Sequence, residues 1–431
     1  MNAIVFPSRL NGSILSNASK SAMQRACAAA LICGGKSIIH NPGISNDDRA
    51  AMDIIQKLGA VISFNDQGNL IIESRGVNPA NNTIDCGESG LSIRMFTPLA
   101  ALSSDEITIT GSGSLSSRPM DFFDEILPRL GVSVTSSNGK LPLKVKGPVK
   151  PSDIEIDGSL SSQFLTGLLM CYSVSGASDV RITVNNLKSK PYIDLTLDVM
   201  KKFGMQVPDN REYKEFYFSP DNKSSLSHNE VRSFTVEGDW SGAAFLLVAG
   251  AISGSVQVHG LDLHSTQADR AIMLALQEAG ARISYYADHL EISQSKLKAF
   301  SFDATECPDL FPPLVALAAY CEGETMLVGT NRLTHKESNR AITLQETFGR
   351  LGIEIELKDN VMLIQGGNPL RGGKVHSHHD HRIAMAAAVA ALRAEGPIEI
   401  EHAEAINKSY PEFYNDLVKL GGKVDVFKTV S

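Results

Sequence analysis

The 431-residue chain is too long for one ordinary domain, and its 43% hydrophobic and 20% charged content is that of a folded protein, not a disordered one. With 40 basic against 48 acidic side chains the formal charge is −8, so nothing in the total favours nucleic acid or an anionic membrane surface as partner. A site for an anion must gather its cations locally, and the longest apolar runs, such as "GAAFLLVAGAISG", are too short and too rich in Ala and Gly to span a bilayer.

The opening "MNAIVFPSRLNGS" lacks the apolar core of a signal peptide. The six cysteines, Cys27, Cys33, Cys86, Cys171, Cys307 and Cys321, form no Cys-x-x-Cys pair and mostly sit in apolar runs, which fits buried thiols and a cytoplasmic protein. From Ser21 onward two helix types alternate. The first is nearly all apolar: "SAMQRACAAALICG", "SGLSIRMFTPLAAL", "SSQFLTGLLMCYSV", then "WSGAAFLLVAGAIS", "PDLFPPLVALAAY" and "HRIAMAAAVAAL". Each is followed by a β-branched strand such as "KSIIH", "DEITIT" or "ETMLVG". The second is amphipathic and ends in glycine before another strand, as in "IIQKLGAVISF", "ILPRLGVSVTS", "VMKKFGMQVPD", "ALQEAGARISY", "TFGRLGIEIEL" and "LVKLGGKVDVF".

The shared glycines, Gly59, Gly131, Gly204, Gly280, Gly352 and Gly421, are spaced by 72, 73, 76, 72 and 69 residues. Glycine after a helix is a common left-handed cap, so the motif is ordinary and its regular spacing is the signal. A helix apolar all round must be enclosed. The pattern therefore predicts an α/β protein of two pseudo-threefold domains, each made of three βαβαββ repeats with the apolar helices inside, an inside-out α/β barrel. Three repeats precede the polar stretch Pro208 to Ser233 and three follow it. The expected domains are 15–234, and 1–14 with 235–431, the first residues crossing back as a strand of the second domain.

Unusual polar residues gather at the helix starts. Lys20, Ser21 and Arg25 open the first apolar helix, and Gly90 and Arg94 the second. Ser161, Ser162 and Gln163 open the third, and Asp239, Asp309, His381 and Arg382 open later ones. The amphipathic helices open with Arg118, with Ser189 and Tyr192, with Lys336, Glu337 and Arg340, and with Lys408. Asp239 and Asp380 read as N-caps. The cations do not, because positive charge in a first turn opposes the helix dipole. Together they point to a shared, multiply charged anion on which the two domains converge. His376, His378 and His379 crowd a loop with no second metal-ligand cluster evident in the sequence, so they read as a solvated loop and no metal is expected. His381, beside Arg382, reads as part of the site.

In order along the chain, "SKSAMQR", "SSRPM", "DGSLSSQFLTGLLM", "KSKPYID", "EGD", "PDL", "KESNR", "DHRIAMA" and "NKSYPEF" resemble the 5-enolpyruvylshikimate-3-phosphate synthases, the enolpyruvyl transferases of the shikimate pathway. The resemblance runs from about Ser19 to Phe413. It implies transfer of the enolpyruvyl group of phosphoenolpyruvate to the 5-hydroxyl of shikimate 3-phosphate with release of phosphate, in an enzyme that closes on its substrates, needs no cofactor and acts as a monomer. It further implies that Lys20, Ser21, Arg25, Ser161, Ser162, Gln163, Ser189, Tyr192, Asp309 and Lys336 hold shikimate 3-phosphate. Lys20, Gly90, Arg118, Gln163, Arg340, Arg382 and Lys408 would hold phosphoenolpyruvate, and Lys20, Asp309, Glu337 and His381 would be catalytic.

The chain departs from the family at Glu88 and Leu91, which replace Asn and Thr, at Asn17-Ala18, which replace Pro-Gly, and at Arg332, which replaces Asn. An acid at Glu88 would need to pair, with Arg94 or Arg118 the nearest candidates in sequence. Two other readings are a sister transferase acting on UDP-N-acetylglucosamine, whose loop cysteine is missing near "GSGSLSSRPM", and a noncatalytic relative that keeps the scaffold as a binding module.

Overall fold

The computed structural model describes residues 1–222, 224 and 230–428. It divides into a contiguous unit, 18–236, and a split unit, 1–17 with 237–431. The contiguous unit carries helices α1 (Lys20–Cys33), α2 (Asn46–Lys57), α3 (Gly90–Ala100), α4 (Asp121–Ile126), α5 (Ser162–Val174) and α6 (Lys190–Lys202). The split unit carries α7 (Trp240–Ser253), α8 (Ile272–Glu278), α9 (Phe311–Ala318), α10 (Arg340–Arg350), α11 (His381–Ala391) and α12 (Phe413–Lys419).

The odd-numbered helices are the enclosed ones. Every residue of α9 and α11 is buried, as is all of α1 except Lys20 and Ser21. Their Ala-rich sequences favour helix and let neighbours approach closely. Gly167 of α5 shows this: a β-carbon there would lie 2.6 Å from the ring of Pro98 and 2.8 Å from the carbonyls of Arg94 and Met95, all on α3. Five of these helices are capped by Ser19, Ser89, Ser161, Asp239 and Asp380, whose side chains accept backbone N–H groups. The even-numbered helices bury one face only, as α2 does with Ala51, Met52, Ile54 and Ile55.

Among the described residues the strands form six four-stranded sheets, three in each unit. All share one pattern: a parallel pair at one edge, then two antiparallel pairings. Thr83–Asp85 runs parallel to Ile107–Thr110, which pairs antiparallel with Leu143–Lys146, and that strand with Ser133–Thr135. The repeats are thus visible in hydrogen-bond pairing as well as in sequence.

Each unit closes on a strand distant in sequence. Val231–Thr235 lies parallel to Gly35–His40, completing the contiguous unit. Leu10–Leu15 lies parallel to Gly254–His259, and Asn2–Phe6 is inserted between Ile398–Glu401 and Lys423–Phe427. The first residues therefore supply two strands, not one, and because these closing strands run to Leu15 and Thr235 the crossings fall at 17/18 and 236/237 rather than 14/15 and 234/235. The polar stretch Pro208 to Ser233 is also more than a divider, since it contributes Asp209–Arg211, Glu215–Phe218 and the start of Val231–Thr235; its residues 223 and 225–229 lie outside the described residues. All six cysteines are free and buried, and among the described residues no helix is long and apolar enough to cross a membrane.

All six repeat glycines have positive φ, from 72° at Gly204 to 108° at Gly59. A β-carbon at Gly59 would also run into the carbonyl of Asn78, whereas at Gly280 the nearest atom, Lys296 O, is 3.6 Å away. Gly280→Ala is expected to cost about 1–2 kcal/mol from backbone conformation alone, and Gly59→Ala distinctly more. Urea unfolding midpoints check this, and equal shifts for the two variants would refute the steric part.

Candidate active site

In the contiguous unit the candidate residues lie where α1, α3, α5 and α6 begin, with Arg118 following the 3-10 turn Gly113–Ser117. Arg25, one turn into α1, is 1% exposed. Its Nε donates to Thr196 Oγ1 at 2.9 Å, Nη1 to Ser21 O at 2.9 Å, and Nη2 to Tyr192 O at 3.3 Å and Thr166 Oγ1 at 3.4 Å. These partners are hydroxyls and carbonyls, and burial lowers the guanidinium to about 10. Such a charge is oriented without being neutralised, which suits an incoming anion. Lys20 meets Asp47, in the first turn of α2, at 2.8 Å.

The close α3–α5 contact brings a second group together. Gly90 begins α3, and a β-carbon on it would lie 2.6 Å from Arg118 Nη1, 3.2 Å from Arg94 Nη1 and 3.7 Å from Gln163 Oε1. The three side chains thus crowd the position a β-carbon would take, and a side chain there would displace the guanidinium of Arg118. Arg94 Nη1 donates to Gln163 Oε1 at 2.9 Å, and Arg118 Nη2 to Ser114 Oγ at 3.1 Å. Ser161 caps α5 by accepting the Gln163 N–H, and Ser162 beside it is buried. Ser189 sits in the left-handed region, φ 56°, with its side chain not capping α6; its carbonyl accepts the N–H of Tyr192. Glu88 places its carboxylate against Gly113, at the start of the 3-10 turn Gly113–Ser117 that leads into Arg118.

In the split unit the centre is Arg340, buried at the start of α10. Its Nε donates to Asp380 Oδ2 at 2.8 Å, Nη1 to Asp309 Oδ1 at 2.6 Å and Nη2 to Glu337 Oε2 at 2.5 Å. Asp309 is shared further, with Lys336 Nζ at 3.2 Å and Arg382 Nη2 at 3.3 Å. Burial acts to raise the Asp309 pKa, but Arg382, Lys336 and Arg340 together hold it well below the usual carboxylate range. Asp380 both caps α11, accepting the Arg382 N–H at 3.0 Å, and accepts from Ser338 Oγ at 3.0 Å. His381 is buried with Nδ1 3.7 Å from Asp380, and Lys408 Nζ donates to His379 O at 2.6 Å.

Behind this cluster lies Asp269, fully buried and accepting from Ser241. Burial and the charge of Asp309 raise its pKa to about 7. The folded state therefore keeps a proton that the unfolded chain loses near pH 4. Its stabilising effect is complete below about pH 4 and is lost as pH rises through about 7. Asp269→Asn escapes that loss, so its melting temperature relative to wild type should climb between about pH 4 and 8. A difference independent of pH would show that Asp269 is ionised throughout.

Sequence reading named the cations of both clusters, with Asp309 and Glu337, but not the other groups that hold them. Thr166 and Thr196 around Arg25, Asp47 beside Lys20, Asp269, and Asp380 as a partner of Arg340 carry no local signal. Nor does His402, which the fold brings to His376 and His379.

The family EPSP synthase (3-phosphoshikimate 1-carboxyvinyltransferase) matches residues 5–417. A 3-phosphoshikimate 1-carboxyvinyltransferase of Clostridium novyi is 37% identical over 98% of this chain and 98% of its own, and one of Clostridium kluyveri is 36% identical over 97% of each. The chain belongs to the EPSP synthase family. Enolpyruvyl transfer from phosphoenolpyruvate to shikimate 3-phosphate is the reaction of EPSP synthases, and the enzymatic reading of this chain follows from membership. Among solved structures, an EPSP synthase of Acinetobacter baumannii aligns with TM-score 0.81 at 24% identity, over 99% of this chain and 100% of that one. The enolpyruvyl transferase NikO of Streptomyces tendae aligns with TM-score 0.76 at 18% identity, over 98% of each. These two likenesses speak for the EPSP synthase fold of paired threefold units.

Proposed function

We propose a division of labour among the two clusters for transfer of the enolpyruvyl group to the 5-hydroxyl of shikimate 3-phosphate. From the contiguous unit, Arg25 takes the shikimate carboxylate, and Lys20, Ser21, Ser161, Ser162, Ser189 and Tyr192 serve its phosphate and ring, with Gln163 touching both substrates. Gly90, Arg118 and Lys20 serve phosphoenolpyruvate, the lack of a side chain at Gly90 letting the guanidinium of Arg118 close on the start of α3. From the split unit, Asp309 and Lys336 serve shikimate 3-phosphate, while Arg382 and Lys408 clamp phosphoenolpyruvate, whose carboxylate and phosphate suit two-pronged donors. Arg340 joins the clamp only by giving up part of its hold on Asp309, Glu337 or Asp380.

The chemistry is addition followed by elimination. The 5-hydroxyl oxygen bonds to C2 of phosphoenolpyruvate, its proton leaves, and the methylene carbon gains a proton; loss of a methyl proton then expels phosphate. Asp309 is the base for the hydroxyl, and Glu337 delivers and later removes the carbon-bound proton, with Lys20 a further participant and His381 directing the exchange. The observation that carries this reading is Asp309, kept ionised by Lys336, Arg340 and Arg382, with Glu337 on the same Arg340 guanidinium. So acidic a group accepts a proton only as C–O bond formation acidifies the hydroxyl.

Release of inorganic phosphate on mixing phosphoenolpyruvate with shikimate 3-phosphate tests the whole reading. Release with UDP-N-acetylglucosamine instead would favour the sister transferase, and none with either would favour a binding module. In single turnover, Glu337→Gln is expected to slow phosphate release about 10²–10⁴-fold; an unchanged rate removes Glu337 from proton transfer.

A further inference from the structure

Strands Gly373–His376 and Ile398–Glu401 run parallel with His376 opposite Glu401, so His402, the next residue, emerges beside the end of the first strand. The loop leaving His376 then turns back over it. Ser377, buried beneath, fixes both segments: its hydroxyl donates to His402 O at 3.0 Å and accepts the His379 N–H at 3.1 Å. The ring centroids of His376, His379 and His402 stand 4.3 to 5.5 Å apart. One ligand nitrogen from each lies within 4.8 Å of the others.

We propose that His376, His379 and His402 form a site for a divalent transition-metal ion such as Zn2+. Two nitrogens on one tetrahedral zinc, each about 2.05 Å from it, stand about 3.3 Å apart, so modest ring rotation closes the gap. His379 is exposed and can make that movement, leaving a fourth position to water. His402 Nδ1 is 3.4 Å from Glu404 Oε1, the carboxylate–imidazole arrangement that directs the opposite nitrogen to a metal. His379 and His402 are held at φ 57° and 53°, left-handed values that a non-glycine residue adopts only at a cost. Three imidazoles suit a borderline transition ion far better than Mg2+ or Ca2+.

His378 is excluded although it lies between two ligands. Its ring nitrogen stands 3.6 Å from Glu346, and its backbone N–H donates to His376 Nδ1 at 2.7 Å. A metal on that nitrogen takes the place of this hydrogen bond. The second grouping of possible ligands, His259, Asp288 and His289, has its carboxylate engaged by His289 Nδ1 at 2.8 Å.

The test uses the full chain without a histidine tag, stripped of metal and titrated with Zn2+ against a chromophoric chelator. One tight site per chain is expected, weakened roughly tenfold or more in His402→Gln and in His376→Gln, and unchanged in His378→Gln and His289→Gln. Absence of a tight site in the wild type, or equal loss in all four variants, overturns the assignment. Should a ligand variant fail to fold, Co2+ added to the wild type decides: imidazole-shifted visible bands support the site, and the spectrum of the aqueous ion overturns it. Neither readout uses turnover, so it stands or falls apart from the transferase reading.

Discussion

Asp309→Asn is expected to lower the single-turnover rate of phosphate release by about 10²–10⁴-fold, the usual contribution of a positioned base, while the KM for shikimate 3-phosphate changes far less. The substitution is nearly isosteric, but it removes the carboxylate charge that Lys336, Arg340 and Arg382 share. Because those cations hold Asp309 well below the ordinary carboxylate range, it stays ionised at neutral and mildly acidic pH. Its depressed pKa stabilises the fold above the ordinary value near 4, an effect lost only as pH falls through the lower folded value. The wild-type rate should therefore show no loss from protonation of Asp309 between about pH 5 and 8. A variant that turns over at the wild-type rate would take Asp309 out of proton transfer and leave it as the tie among three cations.

Arg25→Lys should raise the KM for shikimate 3-phosphate and lower kcat/KM by about 10- to 100-fold, the loss of a charge-assisted hydrogen bond worth about 1.5–3 kcal/mol. Lysine keeps the charge but cannot serve Thr196, Thr166, Ser21 and Tyr192 together while facing a ligand. Burial has already drawn the arginine down to about 10, and the same desolvation acts on a lysine from a lower starting value. Steady-state kinetics with phosphoenolpyruvate saturating would measure this, and an unaltered KM for shikimate 3-phosphate would place the carboxylate elsewhere.

The architecture was legible where its causes are local. Glycine at Gly59 or Gly352 answers to a left-handed backbone at that residue alone, and an all-apolar segment such as Trp240–Ser253 announces its own enclosure. Lys20, Arg340 and Arg382 stood out because each opens a helix whose dipole it opposes, whereas Arg118 follows the 3-10 turn Gly113–Ser117 and Lys408 ends the 3-10 turn Ala403–Lys408, so the expectation of a helix start fails at those two. The partners were hidden because they are tertiary. Asp309 and Asp380 come to Arg340 from distant parts of the chain and no periodicity connects them, whereas Glu337 lies only three residues before it. His402 escaped notice for a related reason: its proximity to His376 depends on the parallel pairing of two strands. Asp209–Arg211, a charged edge strand with every residue exposed, showed no alternation to reveal it.

The crossings at 17/18 and 236/237 give the two units different histories on the ribosome. By the time Val231–Thr235 has emerged, every strand of the contiguous unit's three sheets is present, so that unit can complete its hydrogen bonding during synthesis. Asn2–Phe6 precedes the whole contiguous unit in the chain yet must wait for Ile398–Glu401 and Lys423–Phe427, which follow it, before both its edges are covered. The nascent chain thus carries an uncommitted strand throughout synthesis of the contiguous unit, and its split half matures after the other.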